Sequence, residues 1–360
     1  MPIHIQLITY RDGGCGGSVT APPTISIITP AYNASEFLSQ TVASALAQTF
    51  RDFELLIVDD GSTDDTRNIA LTWARTDPRI RILTRPHGGP SAARNTAIAD
   101  ARGQYFALLD SDDLWHPTFL DAQMSILTSS RTVDIVTGNA YNLGGARDGE
   151  PINPISKSCP QLSLRDILER ENSVFIMSVF RRAVVERITG FDERLPLNED
   201  YDFWIRAAHA GFVFVRNPVP LGHYRRRPDS ISANEIEMIT GILRVFRNAR
   251  ELCADRPREL AVIRKQLARF EEERLLASAK ANLVGRNFAA ASDDFNSLLD
   301  VRRDLMTATV ARLSRYAPVM LLWAYRLKRA LRRRGAASAP AASPAFHSWH
   351  SAEVHHDHRA

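Results

Sequence analysis

The chain has 360 residues, of which 44% are hydrophobic and 24% charged, a composition that can bury a sizeable core and excludes wholesale disorder. Net charge is only +4, and Arg326, Lys328, Arg329, Arg332, Arg333 and Arg334 crowd near the end, so the remaining body is close to neutral and no nucleic acid is expected as a partner. Cys15, Cys159 and Cys253 lie far apart without CxxC spacing, which excludes a disulfide framework or a zinc site and fits a reducing cytosol.

The start, MPIHIQLITYRDGGCGG, lacks a basic segment followed by a sustained apolar stretch, so no secretory signal is expected. Residues 1–22, rich in Gly and Pro, read as a flexible leader. A β-branched run at 25–28 predicts a strand, and apolar residues at helical spacing over 36–48 predict the helix after it. The alternation continues with a strand at 53–60, a helix at 64–75, a strand at 80–83, a helix at 90–101 and a strand at 105–109. Successive strand-helix units imply a parallel sheet covered by helices on both faces. From 135 to 232 the pattern is mixed, with strands expected at 134–137 and 174–178 and helices at 163–170 and 201–210. After 235 strand signals vanish, and Leu, Ala, Arg and Glu at helical spacing predict an all-α extension over 235–334. Within it, AKANLVGRNFAAASDDFNSLL resembles one tetratricopeptide-type helix-turn-helix with Gly285 at the turn, a single copy rather than an array. The Ala-, Ser-, Pro- and then His-rich stretch 335–360 is expected to be a disordered tail.

In such sheets ligands bind beyond the carboxyl ends of the strands. The polar residues fall there: Thr29-Pro30-Ala31-Tyr32-Asn33 after the first strand, Asp59-Asp60-Gly61-Ser62 after the second, and Asp110-Ser111-Asp112-Asp113 after the fourth. Each admits two readings. The Asp110 cluster is either a set of hard oxygen donors for a divalent cation that offsets charge on a departing diphosphate, or a turn and capping cluster. Asp59-Asp60 either meets a ligand or starts a helix. Tyr32 either offers a ring to stack on a base or belongs to an ordinary Pro-containing turn. In LNEDYDFW, Asp200 or Glu199 either takes a proton from an attacking hydroxyl, or joins Asp202 as first-turn acids favoured by a helix dipole.

TPAYN, FELLIVDDGSTDDT, GGPSAARNTAI, LLDSDDLW and GFDERLPLNEDYDFWIRAA, in that order over residues 23–230, resemble the family 2 inverting glycosyltransferases of GT-A fold. The resemblance implies an α/β fold, a mostly parallel mixed sheet flanked by helices over 23–232, with the all-α extension following. It implies transfer of a sugar from a nucleotide-diphosphate donor, a UDP-sugar, to an acceptor hydroxyl, assisted by Mg2+ or Mn2+, in cell-surface polysaccharide or glycolipid synthesis. Thr29, Tyr32 and Asp60 match positions that hold base and ribose, Arg94 lies near the donor, and Asp110 and Asp112 match the DxD motif, with Asp112 the metal ligand and Asp113 sharing the site. Asp200 matches the catalytic base, with Glu199 beside it. Two positions depart from the family: His87 stands where relatives carry Asn, and in GHYRRRPDSIS Arg227 occupies the place of a histidine that faces metal or diphosphate. Arg227 would then meet phosphate directly, leaving the metal fewer protein ligands.

Without GxGxxG or GxxxxGK[ST], dehydrogenase and phosphate-loop readings fall away. A nucleotidylyltransferase lacks its glycine-rich basic first loop here, and a degenerate glycan-binding or scaffold protein would have no reason to keep both the DxD and Asp200. The apolar run at 317–325 is short of the roughly 20 residues a bilayer requires, so no transmembrane helix is expected. The basic helix 317–334 suits an anionic membrane surface or else a solvated face. The expected location is therefore cytoplasmic, peripheral at the inner membrane face if that helix lies on lipid, with a glycan or lipid-linked acceptor.

Overall fold

The computed structural model describes residues 21–227, 230 and 234–337. The first half alternates as β1 (Ile25–Ala31), α1 (Leu38–Leu46), β2 (Phe53–Asp59), α2 (Thr66–Thr76), β3 (Ile80–Thr84), α3 (Pro90–Asp100) and β4 (Tyr105–Leu108). These are the elements the sequence predicts, with ends shifted by one to three residues. Every residue of β2 is buried, as is all of β1 except Pro30, because helices cover both faces of the sheet. β1 runs parallel to β2 from Ile25 opposite Phe53 to Ala31 opposite Asp59, and parallel to β4 with Ile28 opposite Leu108. All three strands thus deliver their following loops to one edge.

The second half departs further from expectation. It contains β5 (Leu114–Trp115), α4 (Phe119–Ser129), β6 (Ile135–Leu143), β7 (Gln161–Leu162), α5 (Leu164–Glu169), β8 (Ser178–Arg181), α6 (Arg182–Ile188), α7 (Glu199–His209) and β9 (Phe214–Arg225). The sheet order is β3-β2-β1-β4-β8-β6-β9-β5, with β7 paired to β9. β8 is antiparallel to both β4 and β6, which makes the sheet mixed. The strand expected at 174–178 lies at 178–181, since an apolar run does not by itself say which of its residues meet a neighbour's ladder. β9 escapes sequence reading because Pro218 and Pro220 interrupt it. It accommodates them where its register with β6 slips on either side of Asn139, whose amide donates to the Pro218 carbonyl at 3.0 Å.

Next come α8 (Glu235–Leu252) and α9 (Pro257–Val284), followed by α10 (Phe288–Val301), α11 (Leu305–Tyr316) and α12 (Pro318–Ala337). The helical character expected after 235 is present, but the chain divides into compact units at Ala277/Ser278 rather than near 235. α8 and most of α9 belong to the first unit because their apolar residues join its core: Ile242, Leu243, Val245, Phe246, Ile263 and Phe270 are buried in the cluster that includes β1 and β2. Gln266 on α9 donates to the carbonyls of Leu168 and Glu169 at 3.1 and 2.7 Å. Gly241 on α8 marks a close approach, since a Cβ there would press on the Asn198 and Leu197 side chains. In the second unit α9 ends at Val284 and α10 begins at Phe288, giving the expected helix-turn-helix around Gly285. Its Leu283 and Ala291 pack on Leu322 of α12 rather than on a second copy of the motif. The expected leader and tail fall mostly outside the described residues, although α12 continues through 335–337, where disorder was anticipated. Two alanines after Gly335 favour helix there.

Phe246 sits between Tyr201, edge-on at 5.7 Å, and Phe270, stacked at 5.8 Å. Phe246→Ala is expected to cost about 3–5 kcal/mol in denaturant unfolding. A loss below about 1 kcal/mol would show that α8 lies outside the cooperative core.

Candidate active site

The loops after β1, β2 and β3 form one end of the site. Asp60 is buried directly after β2, and its carboxylate accepts from Gly88 N at 3.1 Å, Gly89 N at 2.8 Å and Arg85 Nη1 at 2.5 Å. His87 Nδ1 lies 2.9 Å from the same carboxylate, and its ring stacks on Tyr32 with centroids 4.1 Å apart. Tyr32 stays 44% exposed, so the aromatic pair reaches solvent. Gly61, at φ +77°, allows this closeness, because a Cβ there would meet His87 N at 2.8 Å. Thr29, buried in β1, has a hydroxyl without a hydrogen-bond partner among the described residues.

The loop after β4 forms the other end. Asp110 Oδ1 accepts from Arg94 Nη2 at 2.7 Å, and Arg94 Nη1 reaches Glu199 Oε1 at 2.5 Å. One guanidinium on α3 therefore joins the acidic loop to the first turn of α7. Asp112 Oδ2 lies 3.2 Å from Arg227 Nε, while its carbonyl accepts from Arg225 Nε at 2.8 Å. Asp113 is fully buried, accepts from Arg225 N at 2.9 Å through Oδ1, and has no partner for Oδ2 among the described residues. The Asp113 carbonyl takes the Thr41 hydroxyl at 2.9 Å, which ties the loop to α1. Arg225 and Arg227 both lie over the Phe37 ring, at 4.6 and 4.9 Å.

So many acids in one place oppose their own ionisation. Burial, and then Asp110, raise Asp112 above the ordinary carboxylate range. Burial followed by Asp112 and Asp110 raises Asp113 well above it. Asp200 is largely buried at the start of α7 and accepts from Tyr201 N at 2.8 Å. Burial and then the Glu199 carboxylate push Asp200 up to about 7, with Arg94 pulling the other way. Burial also works against the Arg94 charge, but Asp110 and Glu199 overcome it and hold the guanidinium cationic.

Asp110, Asp112, Asp113, Glu199, Asp200, Arg94 and Arg227 are thus linked by hydrogen bonds, ion pairs or mutual charge. Tyr32 and Asp60 meet each other through His87, and Thr29 lies on the strand between the two groups. Arg85, His87 and Arg225 were not foreseen as partners. The missed signal was positional: RPHGG follows β3 just as the foreseen loops follow β1, β2 and β4. Among the described residues, no three His, Cys, Asp or Glu side chains are placed to hold a metal. Asp112 offers one partly exposed carboxylate of the acidic loop. His223 lies in β9 opposite Leu114, with its ring 6.2 Å from Tyr141.

The model of Glycosyl transferase family 2 matches residues 26–189. A putative teichuronic acid biosynthesis glycosyltransferase of Bacillus subtilis is 32% identical over 216 residues, 59% of this chain and 83% of that protein. An uncharacterized glycosyltransferase of Rickettsia prowazekii is 30% identical over 205 residues, 55% of this chain and 62% of its own, so this chain spans less than two thirds of that relative. The structure of S. aureus TarS 1–349 in complex with UDP-GlcNAc superposes with a TM-score of 0.60 at 20% identity, covering 87% of this chain and 92% of that one, and shares the fold. By its extended match to the Bacillus protein and by the family model, the chain belongs to glycosyl transferase family 2.

Proposed function

We propose that this chain transfers a sugar from a nucleotide-diphosphate donor, a UDP-sugar, to an acceptor hydroxyl with inversion at the anomeric carbon. The observation that carries this reading is the Arg94 bridge. It sets a crowded acidic loop, suited to the diphosphate end of a donor, beside an aspartate poised near neutral pH. The acceptor oxygen attacks the anomeric carbon from the side opposite the diphosphate, the bond from that carbon to the diphosphate oxygen breaks, and the acceptor proton passes to Asp200. A base with a pKa near working pH combines availability with proton affinity. Glu199 is less suited because Arg94 already occupies its Oε1. Tyr32 and His87 would stack on the base, with Asp60 and Thr29 at its polar edge. The UDP-GlcNAc held by the S. aureus protein supports a uridine donor, and the naming of the Bacillus relative for teichuronic acid biosynthesis supports a cell-surface glycan or lipid-linked acceptor.

Asp112 would hold Mg2+ or Mn2+, which when bound supplies positive charge to the departing diphosphate. Arg227, paired with Asp112 when no donor is present, would exchange that carboxylate for a phosphate oxygen, and Asp110 would stay fixed by Arg94. Work at the inner face of the membrane, with the body in the cytoplasm, is part of this proposal.

Turnover, pH dependence, melting, chelation and the Arg227 variants test it. With purified protein and a panel of nucleotide sugars, Asp200→Asn should lower kcat by about 10²-fold or more while donor KM stays within about twofold; unchanged turnover would remove Asp200 as the base. The parent's kcat/KM should rise with pH and level off above about 7. Because the folded pKa lies above the unfolded value of 3.8, the penalty of burying this carboxylate is absent below about pH 4, grows up to about pH 7 and is full above it. Asp200→Asn should therefore melt higher than the parent at pH 8 and alongside it at pH 4, and equal melting at both would contradict the raised pKa. Chelation should abolish transfer, and Arg227→Ala should raise the donor's apparent binding constant, with Arg227→His recovering part of the loss. Transfer that survives chelator together with a wild-type Arg227→Ala would rule out this account of the diphosphate site.

A further inference from the structure

We propose that one face of α12 seats the protein on an anionic lipid surface, the helix lying in the plane of the interface. α12 has two apolar faces. On one, Leu322 is buried against Leu283 and Ala291, with Leu321 and Tyr325 beside it, so the packing requirement of this amphipathic helix is already met within its own unit. On the other, Met320, Trp323, Leu327 and Leu331 are all exposed, Trp323 at 71%. At 3.6 residues per turn these four positions fall within an arc of about 80°, on the side of the helix opposite Leu322. A helix that needs one apolar face for folding has no folding use for a second, and a Trp among exposed aliphatic residues is suited to the boundary between headgroups and acyl chains.

Charge selects the occupant. Residues 305–337 contain eight Arg and Lys and no Asp or Glu, whereas the whole chain is only +4, so everything outside this stretch is net negative. A protein partner of mixed charge would not need so one-sided a segment; a sheet of anionic headgroups would attract it. No helix among the described residues is long and apolar enough to cross a membrane, which leaves the in-plane arrangement for this segment. The proposal adds to the transfer reading the place where a lipid-linked acceptor would be met, and it rests on that reading for this point alone.

The experiment uses the full chain without donor or acceptor. It should co-sediment with vesicles of phosphatidylglycerol and phosphatidylethanolamine, at least tenfold less with phosphatidylcholine alone, and progressively less as salt rises. Its tryptophan emission should shift to the blue on binding, and Trp323→Phe should remove most of that shift while leaving sedimentation nearly intact. Combining Met320→Ser, Trp323→Ser and Leu327→Ser should lower partitioning at least tenfold with UDP binding and circular dichroism unchanged, since these side chains are exposed. Asp200→Asn should bind vesicles as the parent does, so a failed transfer assay leaves this result standing. The proposal is overturned if the parent ignores anionic vesicles, if the triple variant binds them equally well, or if the parent self-associates in solution and the triple variant does not.

Discussion

The site depends on one buried cation. Arg94 is 3% exposed and satisfied at both ends by carboxylates that arrive from different parts of the chain, Asp110 after β4 and Glu199 at the start of α7. Withdrawing a guanidinium from water is costly, and removing one partner of such a pair typically costs about 3–5 kcal/mol because a charge is left stranded. The three groups therefore hold one another, and with them the spacing between the acidic loop and Asp200. Phe191 lies 5.5 Å from the guanidinium on the chain leading into α7, which adds an apolar wall to the same joint.

Around this joint the protein concentrates more negative charge than it neutralises. Arg94 answers Asp110 and Glu199, and Arg227 with Arg225 answers Asp112, but Asp113 keeps an unpartnered oxygen and Asp200 ionises only near neutrality. Local strain of this kind marks functional sites, where groups are kept in states that the fold alone would not choose. The guanidinium of Arg227 offsets part of that excess at Asp112.

The strand-helix half was legible because buried parallel strands leave uninterrupted apolar runs, and their following loops carry the polar residues. That rule placed the loops that carry Asp60, Asp110 and Asp112, whereas Asp200 was singled out by the family motif. The half containing β8 and β9 was not, since its strands are set by cross-sheet partners: β9 runs through two prolines only because β6 slips its register at Asn139. The part of His87 was not legible because sequence shows neither its contact with Asp60 nor its stacking on Tyr32, both consequences of Gly61 letting two loops touch. The boundary near 235 misled for a related reason. Loss of strand signal marks a change of secondary structure, whereas compactness follows buried area, and α8 buries its apolar face in the first unit.

That placement lets α8 hold the start of α7 although it carries none of the candidate site residues. Asn198 takes a left-handed conformation, φ +59°, immediately before Glu199 and Asp200, and such a residue persists only where its surroundings hold it. Gly241 of α8 lies against Asn198 because it has no side chain, while Phe246 one and a half turns on packs edge-on against Tyr201. The first turn of α7 is thus clamped from two sides, by the Arg94 pair on Glu199 and by α8 behind Asn198 and Tyr201. Asp200 sits between these fixed points with its own carboxylate bound by a single backbone donor. Rigid neighbours around a lightly held acid keep the position of its carboxyl constant while leaving its charge free to change.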